Sequence, residues 1–510
     1  MVSPHGQDIL PMRLNYDILI AVMAFARRSD VGRVMSTCRT LYRAGVPHLL
    51  RGSIKIKSAA QLNLLCEYMR GDLPYRSRYL RGLDLSIYAD SLTEDAAPPT
   101  PFVTLLSEYA QNLEALDITY TDTLASVLSS ALSTSKSLRT LTISAYSWDL
   151  EHLLREIHAP IKALNITFED EWHGDGVIDM DPAIICAPLK DYLEYLRVSD
   201  ADFATSHIQY PRLKSLRVGG CKFAEIEHIF NSFPNLSNLD LRMHHGNDTL
   251  SALDIQEHRM LNIEAQQRGC WRSLRYLEAD LLSLYMLGVQ STVDSLRLVF
   301  GLLNEARDGP RLRAVLSDTH PSNLELSLPM HGFDLSKLGD LLDPAKDRLT
   351  ILLLTVEAHG HVDPSPALNA MFSTLSSFSI RLLYLRIRWI WTNPPSEGAH
   401  LSIRSRIARA PDAPAGQPPA PPPTSGTRVS TGPRPLNAMD KEAIALMAMH
   451  ALPTVQYLYL LALNHTDIWE FQRRPRDGLG VRERSAVRLT KEEGRHILRE
   501  HGLDATKVNR

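Results

Sequence analysis

The chain has little cysteine. Its 5 cysteines among 510 residues, Cys38, Cys66, Cys186, Cys221 and Cys270, are odd in number, widely spread and form no C-x-x-C pair. That excludes a disulfide framework or structural zinc as the organising device. It points to a reducing compartment, cytoplasmic or nuclear. No stretch reaches ~18 consecutive apolar residues, so no membrane contact is expected. The first residues, MVSPHGQDILPMRLNYD, lack the basic-then-apolar order of a secretory signal. An excess of one charge is also missing: the formal net charge is -3, which argues against a surface given over to nucleic acid. The catalytic signatures G-x-x-x-x-G-K-[ST], H-E-x-x-H and G-x-S-x-G are absent. No enzyme activity, cofactor or metal site is therefore expected. His244-His245 and His359-Gly-His361 have no companions at zinc-finger spacing. The acidic run Glu169, Asp170, Glu171 and Asp175 around Trp172 lacks the EF-hand pattern.

What the chain does have is a recurring phrase: apolar, two variable residues, apolar, one variable, apolar. It reads Leu80-Leu83-Leu85, Leu113-Leu116-Ile118, Leu138-Leu141-Ile143 and Ile161-Leu164-Ile166. It continues as Leu193-Leu196-Val198, Leu213-Leu216-Val218, Leu236-Leu239-Leu241 and Leu274-Leu277-Ala279. Later copies are Val293-Leu296-Leu298, Leu349-Leu352-Leu354, Leu382-Leu385-Ile387 and Val455-Leu458-Leu460, with Leu324-Leu326-Leu328 as a looser version. The last two apolar residues sit at i and i+2, which points both side chains to one face of a short strand.

Between phrases the period becomes helical. Phe102, Leu105, Leu106 and Tyr109 follow the i, i+3, i+4, i+7 pattern. So do Leu150, Leu153, Leu154 and Ile157, and then Leu368, Met371, Phe372 and Leu375. A strand and a helix that each bury one side are unstable alone, and stacked copies bury a continuous core. Phrase-to-phrase distances of 20 (Leu193 to Leu213), 23 (Leu213 to Leu236) and 25 residues (Leu113 to Leu138) fall in the ~20–29 range of leucine-rich repeats. The chain from Leu80 to Leu463 resembles that family, most closely at Leu213-x-x-Leu216-x-Val218-x-x-Cys221-x-Phe223. The resemblance implies an α/β solenoid over residues 53–392. Residues 393–436, dense in proline and poor in large apolar residues, read as a disordered insertion. A last repeat over 437–470 and a basic tail over 471–510 follow. Thr490 and Glu493 form a capping box for a terminal helix, expected to cap the open end of the solenoid.

Residues 13–52 read as a separate all-α module. Leu14, Ile18, Leu19, Val22 and Met23 share one helical face. Ser29 and Asp30 open a second helix on which Val31, Val34, Met35, Cys38, Leu41 and Tyr42 recur. The string RLNYDILIAVMAFARRSDVGRVMSTCRTLYRAGVPHLL resembles the F-box through Leu14, Asp17-Ile18-Leu19, Asp30-Val31, Cys38-Arg39 and Tyr42. It departs from that pattern at Asn15, where the family has a proline that contributes to adaptor contact. A bare N-terminal cap on the repeats is the alternative reading of these helices.

The two resemblances together imply a substrate-recognition adaptor of an SCF-type ubiquitin ligase, of the kind found in fungal F-box proteins with degenerate repeats. Leu14, Asn15, Ile18, Leu19 and Met23 would meet a Skp-type adaptor and through it a cullin. The repeats would bind a protein target of unknown identity. The alternative is a leucine-rich-repeat interaction scaffold whose F-box-like module enters no ligase. Target contacts are expected on the concave strand face, from Tyr195, Arg197, Arg217, Tyr276, Arg297, Tyr384, Arg386, Tyr457 and Tyr459, since Tyr and Arg often dominate interfaces. Arg197 and Arg217 would form a cationic strip for an acidic or phosphorylated segment. The other reading of that row is a solvated face on which Asp240 and Glu278 pair with the arginines.

Overall fold

The computed structural model describes residues 15–86, 106–107, 110, 112–119, 131–133, 135–145, 147–168, 181–199, 203–204, 207–221, 225–243, 251–299, 305–329, 333–359, 364–390, 441–462, 465–475, 482–501 and 503. Leu14, the insertion at 393–436, the acidic run around Trp172, the His244-His245 pair and His361 lie outside them, as do Phe102, Leu105 and Tyr109. The chain is mixed α/β. It divides into two compact units, Met1–Ala279 with Met286–Ser291, and Asp280–Tyr285 with Thr292–Arg510. Among the described residues no helix is long and apolar enough to cross a membrane.

The first unit opens with three helices. α1 (Tyr16–Phe25) starts behind Asn15, whose side-chain oxygen accepts the Asp17 N–H at 3.1 Å. The residue that departs from the F-box pattern thus serves as an N-cap. α2 (Arg28–Met35) and α3 (Arg39–Leu50) stand where the spacing predicts one helix. The break falls at Ser36, Thr37 and Cys38. The Ser36 and Thr37 hydroxyls donate to the carbonyls of Arg33 and Val34. Cys38 turns extended to cap α3, its sulfur accepting the Leu41 N–H at 3.5 Å. Short side chains that bond to nearby backbone compete with helix continuation.

Met23, Val31, Met35, Leu41, Val46 and Leu50 are buried within these helices. α2 and α3 meet closely at Gly45, where a Cβ would lie 2.2 Å from Met35 Cγ. Pro47, inside α3, has no N–H, which deprives the Arg43 carbonyl of its helical donor. The Tyr75 hydroxyl donates to that carbonyl at 3.2 Å instead.

β1 (Ser53–Ile56), α4 (Ala59–Arg70) and β2 (Gly82–Ser86) follow, then β3 (Ala115–Thr119), β4 (Thr140–Ala145), β5 (Ala163–Phe168) and β6 (Tyr195–Ser199). β7 (Ser215–Cys221), β8 (Asn238–Met243) and β9 (Ser273–Ala279) complete the unit. These strands pair in chain order, each parallel to the next. Register sets Leu83, Leu116, Leu141, Leu164, Leu196, Leu216, Leu239 and Leu277 in one buried row. Leu85, Ile118, Ile143, Ile166, Val198, Val218, Leu241 and Ala279 form the next. At each strand entrance one carbonyl accepts two successive N–H groups. The Arg81 carbonyl takes those of Glu114 and Ala115, and the pattern recurs at Glu114, Arg139, Lys162, Glu194, Lys214 and Ser237. The helix Ser147–Glu156 buries Leu150, Leu153 and Leu154, as its spacing predicts.

In the second unit β10 (Thr292–Leu298), β11 (Asn323–Pro329), β12 (Ile351–His359), β13 (Leu382–Ile390) and β14 (Tyr457–Ala462) are again parallel and in order. The helix Ser365–Leu375 buries Leu368, Met371, Phe372 and Leu375. β14 then pairs antiparallel with β15 (His465–Pro475), and β15 with β16 (Arg482–Arg488). β15 runs straight through position 470, where the repeat pattern ends and the basic tail was expected to begin. The phrase in β13 is also shifted: Leu352 faces Leu383 and Leu354 faces Leu385, so this copy reads Ile380-Leu383-Leu385. Leu383, Leu385 and Ile387 are three aliphatics at one parity, so spacing alone admits two registers that differ by two residues.

Arg76, on the short helix Leu73–Arg76, ties α3 to α4. It is 8% exposed, lies 4.3 Å from the Tyr68 ring centroid, donates to the Tyr68 carbonyl and to the Tyr42 hydroxyl at 2.8 Å. Arg76→Ala is expected to lower the urea midpoint, by about 2–3 kcal/mol in stability from lost cation–π and charge-assisted hydrogen bonds. Arg76→Lys should recover less than half, because an ammonium cannot fork between the two acceptors.

Candidate functional site

Two surfaces carry the residues that the sequence singles out. The first is α1. Its sequence, YDILIAVMAF, is apolar nearly all round, and such a helix needs cover on more than one side. Within the three-helix unit only one side is covered. Met23 is 1% exposed and fills the core, so it is withdrawn from the set that can meet a partner; helical phase turns it toward α3. Leu19 is half-buried and Asn15 is exposed as the cap. Ile18, Val22 and Phe25 are 50%, 51% and 93% exposed. Their i, i+4, i+7 spacing makes them one stripe. The face named from the sequence ends at Met23 and so leaves out Phe25, which extends the Ile18 and Val22 row by one more turn.

The second surface is the strand face opposite the buried leucine rows, here the front. In the first unit register aligns Lys55, Asp84, Asp117, Thr142, Asn165, Arg197, Arg217, Asp240 and Glu278 across it. Lys55 Nζ is 3.0 Å from the Asp84 carboxylate, and Ser86 Oγ donates to Asp84 at 2.7 Å. Burial opposes the charge on Asp84, but the Ser86 and Lys55 contacts outweigh it and hold its carboxyl below the usual range. Burial, and then the Asp84 charge next door, push Asp117 up.

Arg197 and Arg217 are direct register partners, as the expected strip requires. They do not act alike. Arg217 Nε lies 2.9 Å from the Asp240 carboxylate, while Arg197 is exposed and has no ion-pair partner among the described residues. Arg242, which the phrase pattern does not mark, clamps Asp240 at 3.3 Å and Glu278 at 2.9 Å. The Tyr276 hydroxyl donates to the other Glu278 oxygen. The cationic strip is therefore one open guanidinium beside a closed ion-pair network. Charges that adjoin at ~4.8 Å strand spacing pair across it wherever signs allow. Tyr195 is half-buried beside Arg197.

The second unit's front face differs. Arg297 pairs with Glu325 at 3.3 Å, and Arg388 with Glu357 at 3.1 Å. Arg386 is half-buried and, with the β13 register shift, faces Thr355 and Leu461. Tyr384 and Tyr459, expected as open contacts, are buried. Tyr384 is 4% exposed with its phenol pushed up to about 12 by burial, and Tyr459 is 0% exposed. The C-terminal helix, Lys491–Glu500, covers them rather than the end of the strand series. Tyr457 is half-buried and meets the His501 ring edge-on, centroids 6.1 Å apart.

Among the described residues no three His, Cys, Asp or Glu side chains are grouped to hold a metal ion. Cys38, Cys66, Cys186 and Cys270 are free thiols. No family model matches the chain, and no curated protein matches it.

The Asp240 network gives a signed expectation. Burial and the Glu278 charge raise the Asp240 pKa against the pull of Arg217 and Arg242. A carboxyl raised in the fold contributes stability below its unfolded pKa, and that contribution is lost as pH rises through the folded value. Asp240→Asn is therefore expected to be neutral or stabilising by up to ~1 kcal/mol at pH 7, and to lose that gain near pH 4. Arg242→Ala, which takes one guanidinium away from both carboxylates, should cost about 1–3 kcal/mol at pH 7. Urea unfolding at the two pH values measures both; a markedly destabilised Asp240→Asn chain would contradict this account.

Proposed function

We propose that the chain is a substrate-recognition adaptor of an SCF-type ubiquitin ligase. α1–α3 act as an F-box that docks a Skp-type adaptor, and the strands belong to a leucine-rich-repeat α/β solenoid whose front face holds a protein target. The observation that carries this reading is the open stripe Ile18, Val22 and Phe25 on the first helix. Side chains of this size lose about 1.5–3 kcal/mol each by staying in water. A contiguous row of them at the start of the chain suits docking in the groove of a helical partner.

The sequential parallel strands, with a buried aliphatic pair on β2 to β9 and on β11 to β14, support the repeat assignment. On this reading the chain performs no covalent chemistry. It raises the target's effective concentration beside a conjugating enzyme recruited by the cullin. The open Arg197, flanked by Tyr195, is the first target contact we assign in the first unit.

The test is co-purification of the full chain with a Skp-type adaptor. Phe25→Asp, at a position 93% exposed, should leave the urea midpoint unchanged and weaken adaptor binding at least ~30-fold, the ~2 kcal/mol of an interface anchor. Met23→Ala should instead destabilise the helices by about 2–5 kcal/mol. A folded wild-type chain that does not bind the adaptor would end the ligase reading in favour of a repeat scaffold.

A further inference from the structure

The front face of the second unit changes character at β12. Upstream its central row carries Arg297 and Glu325; from β12 onward the same row reads Leu353, Tyr384 and Tyr459. With Ile351, Leu382 and Ile468 these side chains form an apolar floor across four strands, and Leu498 of the C-terminal helix sits on it. The Tyr384 and Tyr459 rings stack within the floor, centroids 6.0 Å apart.

The seat is specific. The buried Tyr459 hydroxyl donates to the Gly494 carbonyl at 2.5 Å. A Cβ on Gly494 would lie 1.9 Å from Ile468 Cδ1, so a side chain there would have to displace Ile468 from the floor. Ile497 and Leu498, three and four residues on, supply the apolar contacts, flanked by Leu489 and Leu503. The remaining helix positions are charged or polar and exposed: Lys491, Glu492, Glu493, Arg495, His496, Arg499 and Glu500.

We propose that this floor is a helix-receiving groove, held in cis by the chain's own C-terminal helix. Its partner in trans is an amphipathic helix with the same order, a glycine followed at +3 and +4 by two large aliphatics. The occupant itself is the argument for that partner: floor, phenol donor and glycine notch are complementary to such a helix in both shape and hydrogen bonding. Displacement is feasible because the cover is slight. Only Gly494 and Leu498 of its ten residues are buried, and a helix of ten residues has little stability of its own. Elements with so few buried contacts open well below the global unfolding free energy. The inference rests on the second unit alone and is independent of adaptor binding.

Two measurements on the full chain test it. In wild type, hydrogen exchange should show the amides of Lys491–Glu500 exchanging at least ten-fold faster than those of β13 and β14 beneath them. Exchange of helix and strands at one common rate would make the helix part of the core and overturn the proposal. In Gly494→Val, the helix should lift off. A fluorescent peptide spanning residues 489–503 should then bind the variant at least ten-fold more tightly than wild type, while a peptide carrying Gly494→Val should not bind. Equal binding of the peptide to both chains, or none to a folded variant, overturns it. So does concentration-dependent dimerisation of the variant with the peptide excluded, since the occupant would then be a second copy's tail. If the variant fails to fold, the exchange result on wild type alone decides.

Discussion

Burial of one aliphatic pair per strand is the constraint on which the rest depends. From β2 to β9 the pair lies 2% exposed or less, and in-register parallel pairing stacks these pairs into two continuous rows. Once the pairs are fixed inward, strand geometry leaves every intervening side chain facing the other way. The front face is therefore a consequence of the core. Its composition is free to vary because the inward pairs already fix the strands, and it does vary, from ion pairs and hydroxyls in the first unit to tyrosines and leucines at the end of the second.

That freedom explains why the two units present different chemistry on comparable strands. Around β7–β9 the front charges neutralise one another through Arg217 and Arg242, leaving Arg197 as the open cation among the described residues there. From β12 onward the row Leu353, Tyr384 and Tyr459 makes an apolar floor on that face, and this floor wears a cover. The run Ile351–Leu354 carries this in its sequence: four successive large aliphatics need burial on both sides of a strand. An apolar front without cover would be an association hazard. A short amphipathic helix that can leave makes it a usable surface.

The N-terminal helices show the same division between core and surface on one element. α1 has two apolar stripes. Helical phase gives Met23 to the core and Ile18, Val22 and Phe25 to solvent. Asn15 takes the capping position that starts the helix, so its departure from the F-box pattern has a local structural role. Arg76, Tyr42, Tyr68 and Tyr75 then fasten α3 to α4 and to the short helix Leu73–Arg76.

The sequence by itself determined the parallel strands from β2 to β14, since the aliphatic phrases mark them one by one, and the helices at Ser147–Glu156 and Ser365–Leu375, whose buried stripes follow from 3.6-residue periodicity; it did not mark β15 and β16, which lie beyond the last phrase. It determined the capping box at Thr490 and Glu493, because that motif is local. Tertiary structure alone decided what depends on register and on non-local neighbours. The two-residue shift in β13 follows from pairing with β12, as its own apolar pattern fits both registers. The division of α1 into core and open stripes follows from where α3 lies. The pairing of Arg217 with Asp240 follows from strand adjacency across a gap of 23 residues. The burial of Tyr384 and Tyr459 follows from a helix that begins more than 30 residues after Tyr459. A residue's period along the chain states which side of its own element it occupies, but only the packed neighbours decide whether that side meets water.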